Sequence, residues 1–342
     1  GEAGFYQGKT AKLIAQFMKK HGGLMTEEDL AKYTTKSRQP LLVEWRGYQL
    51  MTSPPPSSGG VAIIQWLTMY NELSPKKGLQ HNSSDYIHLL SEIGKRVFAD
   101  RAEYLGDPDF NKIAVEQLIS EEYLSARSKE IDFNAISTTE NIKAGLKESE
   151  ETTHFSIVDQ WGNAVSNTTT INLGFGSGMV VEGAGFILNN EMDDFSAKPG
   201  VANVFGALGG KINEIQPEKR MLSSMTPSMV LKDNDVVLVT GSPGGTTIIS
   251  SVYQSILNVL EFNMNAEDAV NSTRFHHQLW PKNVIRHHDG LTTSTKAALE
   301  SMGYTLDKRR FGDMHLIVNK NGDLQAGSEA SGRGKSAVIN VN

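Results

Sequence analysis

The sequence predicts an α+β fold, because helical and strand periodicities occupy different parts of the chain. Apolar residues recur at helical spacing through most of residues 1–104, whereas short alternating segments dominate after about residue 152. The chain has 342 residues, of which 39% are hydrophobic and 21% are charged. It can therefore bury a sizeable core, and extensive disorder is excluded.

The first half is predicted to be mostly helical, with stops and caps at clear positions. Gly22 and Gly23 end one helix, and Thr26 followed by acidic residues is typical of an N-cap. Three prolines at 54–56 force extended backbone before the next helix. The predicted elements are helices over 9–20, from Thr26 to Tyr33, over 61–73 and over 83–104, and a strand over 41–50.

The second half is predicted to be strand-rich, after a polar connector. Residues 138–151 have almost no apolar period, which is typical of an exposed connector. Asn321-Gly322 predicts a hairpin turn between two strands within 313–326. The remaining predicted elements are strands over 153–159, 164–171, 179–188, 228–232 and 236–240, and helices over 246–261 and 292–302.

Composition excludes several functional classes. The formal net charge of −6 argues against a nucleic-acid-binding protein, which needs a basic surface. The chain has no cysteine, so disulfides, thiolate nucleophiles and Cys-ligated zinc are excluded. No run of 18 apolar residues predicts a membrane span, and the N-terminus lacks the regions of a signal peptide. These features fit a cytosolic protein, a mature secreted protein or a fragment.

A hydroxyl cluster begins where the polar connector meets the first strand of the second half. Without cysteine, a nucleophile must be Ser, Thr, Lys or a carboxylate. One interpretation is that Thr152 and Thr153 are β-branched residues that start a strand. The alternative is self-cleavage between Glu151 and Thr152. Thr152 would then carry its own general base, because a terminal α-amine has a pKa near 8.

Two further segments carry possible chemistry. Gly244-Gly245 precedes a predicted helix, so its N–H groups can form an anion site or a plain strand-to-helix turn. The Lys-Ser/Thr pair of a P-loop is missing there. Residues 189–195 contain three carboxylates and two amides, which suit a solvated turn, a calcium loop or the recognition of an ammonium group. The pairs at 276–277 and 287–288 lack the spacing of a zinc helix, so no metal is predicted.

Seven motifs, in one order along the chain, closely resemble the γ-glutamyltranspeptidase family of N-terminal-nucleophile hydrolases. The match runs from Gly4 to about Gly327. The motifs are Pro-Pro-Pro-Ser-Ser-Gly-Gly (54–60), Asp-Arg-Ala-Glu-Tyr-Leu-Gly-Asp-Pro-Asp-Phe (100–110), Thr-Thr-His-Phe-Ser (152–156), Asn-Asn-Glu-Met-Asp-Asp-Phe-Ser-Ala-Lys-Pro-Gly (189–200), Leu-Ser-Ser-Met-Thr-Pro (222–227), Gly-Ser-Pro-Gly-Gly (241–245) and Arg-Phe-His-His-Gln (274–278).

This resemblance implies an αββα sandwich, with two stacked sheets between helical layers. It also implies a precursor that cuts itself before Thr152, giving a large-subunit part, 1–151, and a small catalytic subunit, 152–342. Thr152 would attack a γ-glutamyl carbonyl and form an acyl-enzyme. Water would then complete the hydrolysis of substrates such as glutathione, and an amino acid or peptide amine would complete transpeptidation. No cofactor is implied.

The resemblance also implies roles for individual residues around the acyl group. Thr170 would orient the nucleophile, and the backbone N–H groups of Gly244 and Gly245 would stabilise the developing oxyanion. Residues Pro199 to Gly210 match a lid loop over the pocket. Phe205 stands in that lid where many bacterial members have Tyr.

Further roles concern the amino-acid head group of the substrate. Asn172, Glu191 and Asp194 match the residues that bind the α-ammonium group, and a carboxylate pair suits a cation. Glu191 stands where some members have Gln. Ser223 and Ser224 match the donors to the α-carboxylate.

The resemblance leaves alternatives open. Family precursors carry a long segment before Gly-Phe-Tyr-Gln-Gly (4–8), including a signal peptide, early strands and an Arg that pairs with the substrate carboxylate. A periplasmic or secreted location is therefore implied. The competing hypotheses are a related amidase, acting on poly-γ-glutamate or a glutaryl-cephalosporin, and a truncated or unprocessed fragment that binds without turnover.

Overall fold

The computed structural model describes residues 1–76, 78–138, 152–196, 198 and 209–339. It confirms the α+β class. The helices are α1 (Ala3–Tyr6), α2 (Lys9–Lys20), α3 (Glu27–Lys32), α4 (Gly59–Leu73), α5 (Ser84–Tyr104), α6 (Val115–Leu118), α7 (Glu121–Lys129), α8 (Thr247–Leu260), α9 (Ala266–Asn271) and α10 (Thr293–Met302). The strands are β1 (Leu41–Trp45), β2 (Tyr48–Thr52), β3 (Thr153–Val158), β4 (Ala164–Thr169), β5 (Ser228–Lys232), β6 (Asp235–Gly241), β7 (Phe275–His276), β8 (Val284–His287), β9 (Thr305–Lys308), β10 (His315–Lys320) and β11 (Asp323–Ser328).

A six-stranded antiparallel sheet forms the centre of the molecule, with the order β1-β2-β5-β6-β10-β11. Side chains alternate between its two faces. Leu316 and Val318 of β10 enter the main hydrophobic core with α4, α5 and α8, whereas Ile317 faces β3 in a cavity on the other side. The β3–β4 hairpin therefore stacks on the sheet face opposite the helices, and a third sheet, β7-β8-β9, lies apart from these two.

The helical layer is held by large buried side chains and closed by local caps. Trp66 of α4 stacks on Tyr253 of α8, with ring centroids 4.6 Å apart. The predicted cap at Thr26 is confirmed, because its side chain and that of Asp29 form a capping box. In the described part of the chain, no helix is both long and apolar enough to cross a membrane.

Two predicted strands were wrong. The segment 41–50 is not one strand but the start of a hairpin, because Arg46 and Gly47 have φ values of 52° and 78° and turn the chain. The segment 179–188 forms only an isolated bridge between Val180 and Ile187. Its glycines 183 and 185 both have φ of 79°, which interrupts an extended strand.

Candidate active site

Thr152 lies immediately before β3, where the hairpin meets the edge of the central sheet. The antiparallel register pairs Thr153 with Thr169, so Thr152 faces Thr170 just beyond the paired ends. The Thr152 hydroxyl donates to Thr170 Oγ1 at 3.3 Å, and the Thr152 side chain is buried. The structure thus brings the predicted nucleophile against the predicted orienting hydroxyl. Glu151, on the other side of the predicted cleavage bond, lies outside the described residues.

Thr170 also fixes the next predicted site residue. The backbone N–H of Asn172 donates to Thr170 Oγ1 at 2.8 Å, and Asn172 has a φ of 73° that asparagine tolerates well. The Asn172 side chain donates from Nδ2 to the carbonyl of Asn190 at 3.0 Å. The acidic segment therefore orients the Asn172 amide beside the predicted nucleophile, Thr152.

The loop that carries Ser223 and Ser224 is held by the proline-rich segment. Ser58 N–H donates to the Ser223 carbonyl at 2.8 Å, and Ser223 N–H donates to the Pro56 carbonyl at 2.8 Å. A Cβ on Gly59 would lie 2.0 Å from the Oγ1 of Thr226, so only glycine fits there. The motif at 54–60 thus shapes the site without lining it.

The oxygen atom of each serine hydroxyl already accepts a hydrogen bond. Ser223 Oγ accepts from Met225 N–H at 3.0 Å, and Ser224 Oγ accepts from Arg101 Nη2 at 3.1 Å. Neither hydroxyl proton has an acceptor among the residues that the structure describes. Two O–H groups are therefore available to donate to an anion in the pocket.

Two carboxyl groups near the pocket are hard to ionise. Burial raises the pKa of Asp194 to about 7; the charge of Arg101 opposes this rise, and that of Asp193 adds to it. Burial, followed by the charge of Asp194, raises the pKa of Glu191 to about 7. The two carboxyls belong to one 3₁₀ turn, residues 191–194, in which side chains at i and i+3 eclipse. A cation between them would favour the ionised forms of both.

Glu191 lies in the same short turn as Asp194 but has different surroundings. Asp194 lines the pocket, but Glu191 is not one of the lining residues. Its Oε1 is buried and has no hydrogen-bond partner in the described chain. Sequence spacing could not distinguish the two carboxyls, because both occur in the same short turn.

The Gly244-Gly245 turn connects β6 to α8, so it is both a strand-to-helix turn and part of the pocket wall. Gly244 has a φ of 129° and Gly245 a φ of 54°. Gly245 and Thr246 line the pocket, whereas Gly244 lies one residue before them. In the described part of the chain neither glycine N–H has an acceptor, which leaves both donors available at the N-terminus of α8.

A narrow pocket, called here the Thr152 pocket, brings these groups together. Seven of the site residues predicted from the sequence line it: Thr152, Thr170, Asn172, Asp194, Ser223, Ser224 and Gly245. Its other four lining residues were not predicted from the sequence: Arg101, Met225, Thr246 and Ile248. Arg101 lies in the 100–110 motif, which was noticed without a role.

A larger cavity of about 430 Å³ lies on the β3 side of Thr152. It is lined by His154, His315 and residues 333–337, among others, and shares only Thr152 with the predicted site. Burial, with a smaller effect of His315, lowers the pKa of His154 to about 3, so that imidazole stays neutral. The convergence of hydroxyls and charges therefore identifies the smaller Thr152 pocket as the candidate active site.

The described end of the predicted lid is anchored close to the site. Gly210 N–H donates to the carbonyl of Ala102 on α5 at 2.8 Å. Asn213 Nδ2 donates to the Asp194 carbonyl at 2.7 Å, which ties this end to the acidic turn. Pro199 and Phe205 lie outside the described residues. Across the described ranges, no group of three His, Asp or Glu side chains is arranged to hold a metal ion.

The chain matches the family model described as gamma-glutamyltranspeptidase over residues 1–339. It is 50% identical over 340 residues to the glutathione hydrolase proenzyme of Pseudomonas aeruginosa, a match that covers 98% of this chain. The chain spans 61% of the length of that relative.

Two solved structures extend the comparison. A gamma-glutamyltranspeptidase chain from Pseudomonas nitroreducens, complexed with L-DON, is 51% identical, with a TM-score of 0.54. The match covers 55% of this chain and 100% of that one. A cephalosporin acylase from Bacillus halodurans is 26% identical, with a TM-score of 0.81 over 99% of this chain and 60% of its own. The acylase likeness covers both halves of the described fold.

Proposed function

The chain belongs to the gamma-glutamyltranspeptidase family, and on that premise we propose that it catalyses γ-glutamyl acyl transfer through Thr152. The donor substrates are γ-glutamyl amides such as glutathione, and the acceptor is water or the amine of an amino acid or peptide. One observation carries this proposal. The nucleophilic hydroxyl opens into a pocket that offers two O–H donors for a carboxylate and a buried carboxyl for an ammonium group.

We infer that the active form arises by self-cleavage. Thr152 Oγ1 attacks the Glu151 carbonyl, and the acyl group moves from the Thr152 nitrogen to Oγ1, which breaks the peptide bond and frees the Thr152 amine. Water then hydrolyses the ester, which releases the Glu151 carboxylate and restores the Thr152 hydroxyl. The match to the Pseudomonas nitroreducens chain supports this division. That complete chain corresponds to 55% of the present one, and residues 152–342 make up 191 of the 342 residues, about the same share.

Catalysis then follows from the geometry of the pocket. The Thr152 amine accepts the hydroxyl proton as Oγ1 attacks the γ-carbonyl, and Thr170 holds that hydroxyl in place. The N–H groups of Gly244 and Gly245 are the proposed donors to the oxyanion. The tetrahedral intermediate then collapses and expels the amine of the donor substrate, which takes up the proton held by the Thr152 amine. The acyl group remains on Oγ1 as an ester. Attack by water or an acceptor amine on this ester releases the product and restores the hydroxyl.

The residues that bind the amino-acid head group of the substrate are assigned by their charge and hydrogen-bonding groups. Ser223 and Ser224 donate to the α-carboxylate, while Asn172 and Asp194 bind the α-ammonium group. Glu191 lies near Asp194 without lining the pocket, so we propose that it adds negative charge and makes no direct contact. Residues 199–210, including Pro199, Phe205 and Gly210, remain the proposed lid.

A glutaryl-cephalosporin amidase is the second candidate, because of the likeness to the Bacillus halodurans acylase. A glutaryl group has the terminal carboxylate but no ammonium group. Asp194 would then face an apolar methylene where a γ-glutamyl substrate offers an ammonium group, which favours ionisation of this buried carboxyl less. The position of Asp194 therefore favours a γ-glutamyl donor.

The test combines processing and turnover. The purified protein should give a chain beginning Thr152-Thr153-His154 on N-terminal sequencing, and should release p-nitroaniline from γ-glutamyl-p-nitroanilide. Thr152→Ala should abolish both. A variant that still splits before residue 152 would refute the nucleophile assignment. Faster turnover of glutaryl-p-nitroanilide than of the γ-glutamyl substrate would favour the acylase.

Partners and location follow from the same proposal. The two products of cleavage stay together, because β2 pairs with β5 across the proposed division and α4 packs on α8. We propose a periplasmic or secreted location on the family resemblance, tested by fractionating cells that produce the protein. Recovery of all the activity with cytosolic markers would contradict it.

A further inference from the structure

Arg101, on α5, is the one cation among the residues that line the Thr152 pocket. Its side chain is 5% exposed. Nε donates to Ser58 Oγ at 3.0 Å and Nη2 donates to Ser224 Oγ at 3.1 Å. These two hydroxyls are its hydrogen-bond partners in the described chain, and the charge of Asp194, which lines the same pocket, favours its protonated form.

Other buried cations of the same helix are arranged differently. Lys95 and Arg96 each pair with Glu92, at 2.9 and 3.2 Å. Both hydrogen bonds of Arg101 go instead to hydroxyl groups, and one of these, Ser224, lines the pocket. The guanidinium is therefore placed to act through Ser224 on a group that enters the pocket. Arg101 stays protonated near neutral pH, because burial lowers its pKa only to about 10.

The two hydroxyl partners show how that charge can act. Ser58 Oγ accepts from Arg101 and donates to the Ser223 carbonyl at 2.8 Å, which fixes the loop. Ser224 Oγ accepts from Arg101 and keeps its own proton free for the pocket. A cation that donates to a hydroxyl oxygen also polarises the O–H bond, so the hydroxyl becomes a stronger donor.

We infer that Arg101 is a positioning residue for the substrate α-carboxylate. Through Ser58 it fixes the 223–225 loop, and through Ser224 it directs a polarised hydroxyl toward the carboxylate. This inference rests on the proposed γ-glutamyl function and gives Arg101, a residue of the 100–110 motif, a role in substrate specificity.

The test compares two substrates that differ only in the α-carboxylate, γ-glutamyl-p-nitroanilide and 4-aminobutyryl-p-nitroanilide. Arg101→Met should lower kcat/KM for the γ-glutamyl substrate about 10- to 100-fold, mainly through KM, since a hydrogen bond to a charged group contributes about 1.5–3 kcal/mol. The 4-aminobutyryl substrate should change less than about threefold. Arg101→Lys should recover part of the preference, because it keeps the charge but loses the fork that reaches both hydroxyls.

Controls separate this role from simple folding. Arg127 pairs with Asp100 at 2.7 Å and does not line the pocket, so Arg127→Met should lower the thermal midpoint and leave the substrate preference unchanged. Ser58→Ala removes one anchor of Arg101 with a smaller disturbance. It should reduce the preference severalfold even if Arg101→Met does not fold.

An unchanged preference in a folded, cleaved Arg101→Met protein, or in Ser58→Ala if the first variant does not fold, would overturn the inference. Calorimetry with L-glutamate and 4-aminobutyrate separates it from the proposed function, because binding needs no turnover. If the unmutated protein hydrolyses neither anilide, the proposed function is refuted but the inference about Arg101 is not. If L-glutamate binds equally well with and without Arg101, the inference about Arg101 is refuted but the proposed function is not.

Discussion

Replacing Asp194 with Asn removes one buried titratable group and keeps nearly the same side-chain shape. Burial raises the pKa of Asp194 from its usual 3.8 to about 7. In the unfolded chain the carboxyl ionises near pH 4, so between about pH 4 and 7 the folded protein holds a proton that the unfolded chain has released. The stability of the protein therefore falls as the pH rises through this window, and Asp194→Asn should remove that loss.

The size of the effect follows from the rise in pKa. A tenfold change in proton affinity corresponds to about 1.4 kcal/mol, so the rise to about 7 gives an upper value of about 4 kcal/mol. Because the carboxyl is not fully shielded from water, we expect about 2–4 kcal/mol. Relative to the unmutated protein, Asp194→Asn should be more stable by this amount at pH 8 than at pH 4.

Urea unfolding at pH 4, 5.5, 7 and 8 measures the difference, and Glu300→Gln, on the exposed face of α10, is the control. A stability difference that does not vary with pH would refute the reasoning. The same variant should raise the KM for γ-glutamyl-p-nitroanilide, because the ammonium group loses its counter-charge. Asp194→Glu, with the charge restored, should bind the substrate better than Asp194→Asn does.

Three other substitutions test the site and its support. Thr170→Val should lower kcat about 3- to 10-fold in steady-state kinetics, because Thr152, the proposed nucleophile, loses one hydrogen bond. An unchanged kcat would contradict the orienting role. Gly244→Ala should destabilise the protein by about 2–4 kcal/mol, because its φ is 129° and the methyl group would clash with Thr247. Gly322→Ala is the control, since Gly322 also has a positive φ but lies in open space. It should lower the thermal midpoint less. Arg274→Met should lower the free energy of unfolding in urea by about 3–5 kcal/mol, because it removes the Arg274 guanidinium that pairs with the buried Glu329 carboxylate at 2.5 Å. A decrease of less than about 1 kcal/mol would contradict a buried ion pair.

Local sequence patterns predicted those parts of the fold that short-range interactions determine. The capping box at Thr26 closes within three residues, and the Asn321-Gly322 turn joins adjacent strands. The long helices α4, α5 and α8 follow from runs of apolar residues that need only a neighbouring surface. The errors occurred where turn geometry overrode the strand pattern, at Arg46 and in the segment 179–188.

The candidate site could be predicted only as a set of residue types in order along the chain. The seven motifs indicated Thr152, the serine pair and the acidic segment, but not which side chains meet. Arg101 reaches Ser224 across 123 positions of sequence, and Ser58 reaches the Ser223 carbonyl across 165. Contacts of this range depend on how the sheets stack, and no local pattern encodes them.

The sequence by itself therefore determined the family resemblance and the α+β class, and it excluded a thiolate nucleophile, since the chain has no cysteine. The tertiary structure decided the electrostatics. It buried Asp194 so that its pKa rises, placed Glu191 off the pocket wall, and set Arg101 behind Ser224. The physical reason is that burial and charge proximity arise from packing between distant segments, whereas residue type and local periodicity are properties of the chain alone.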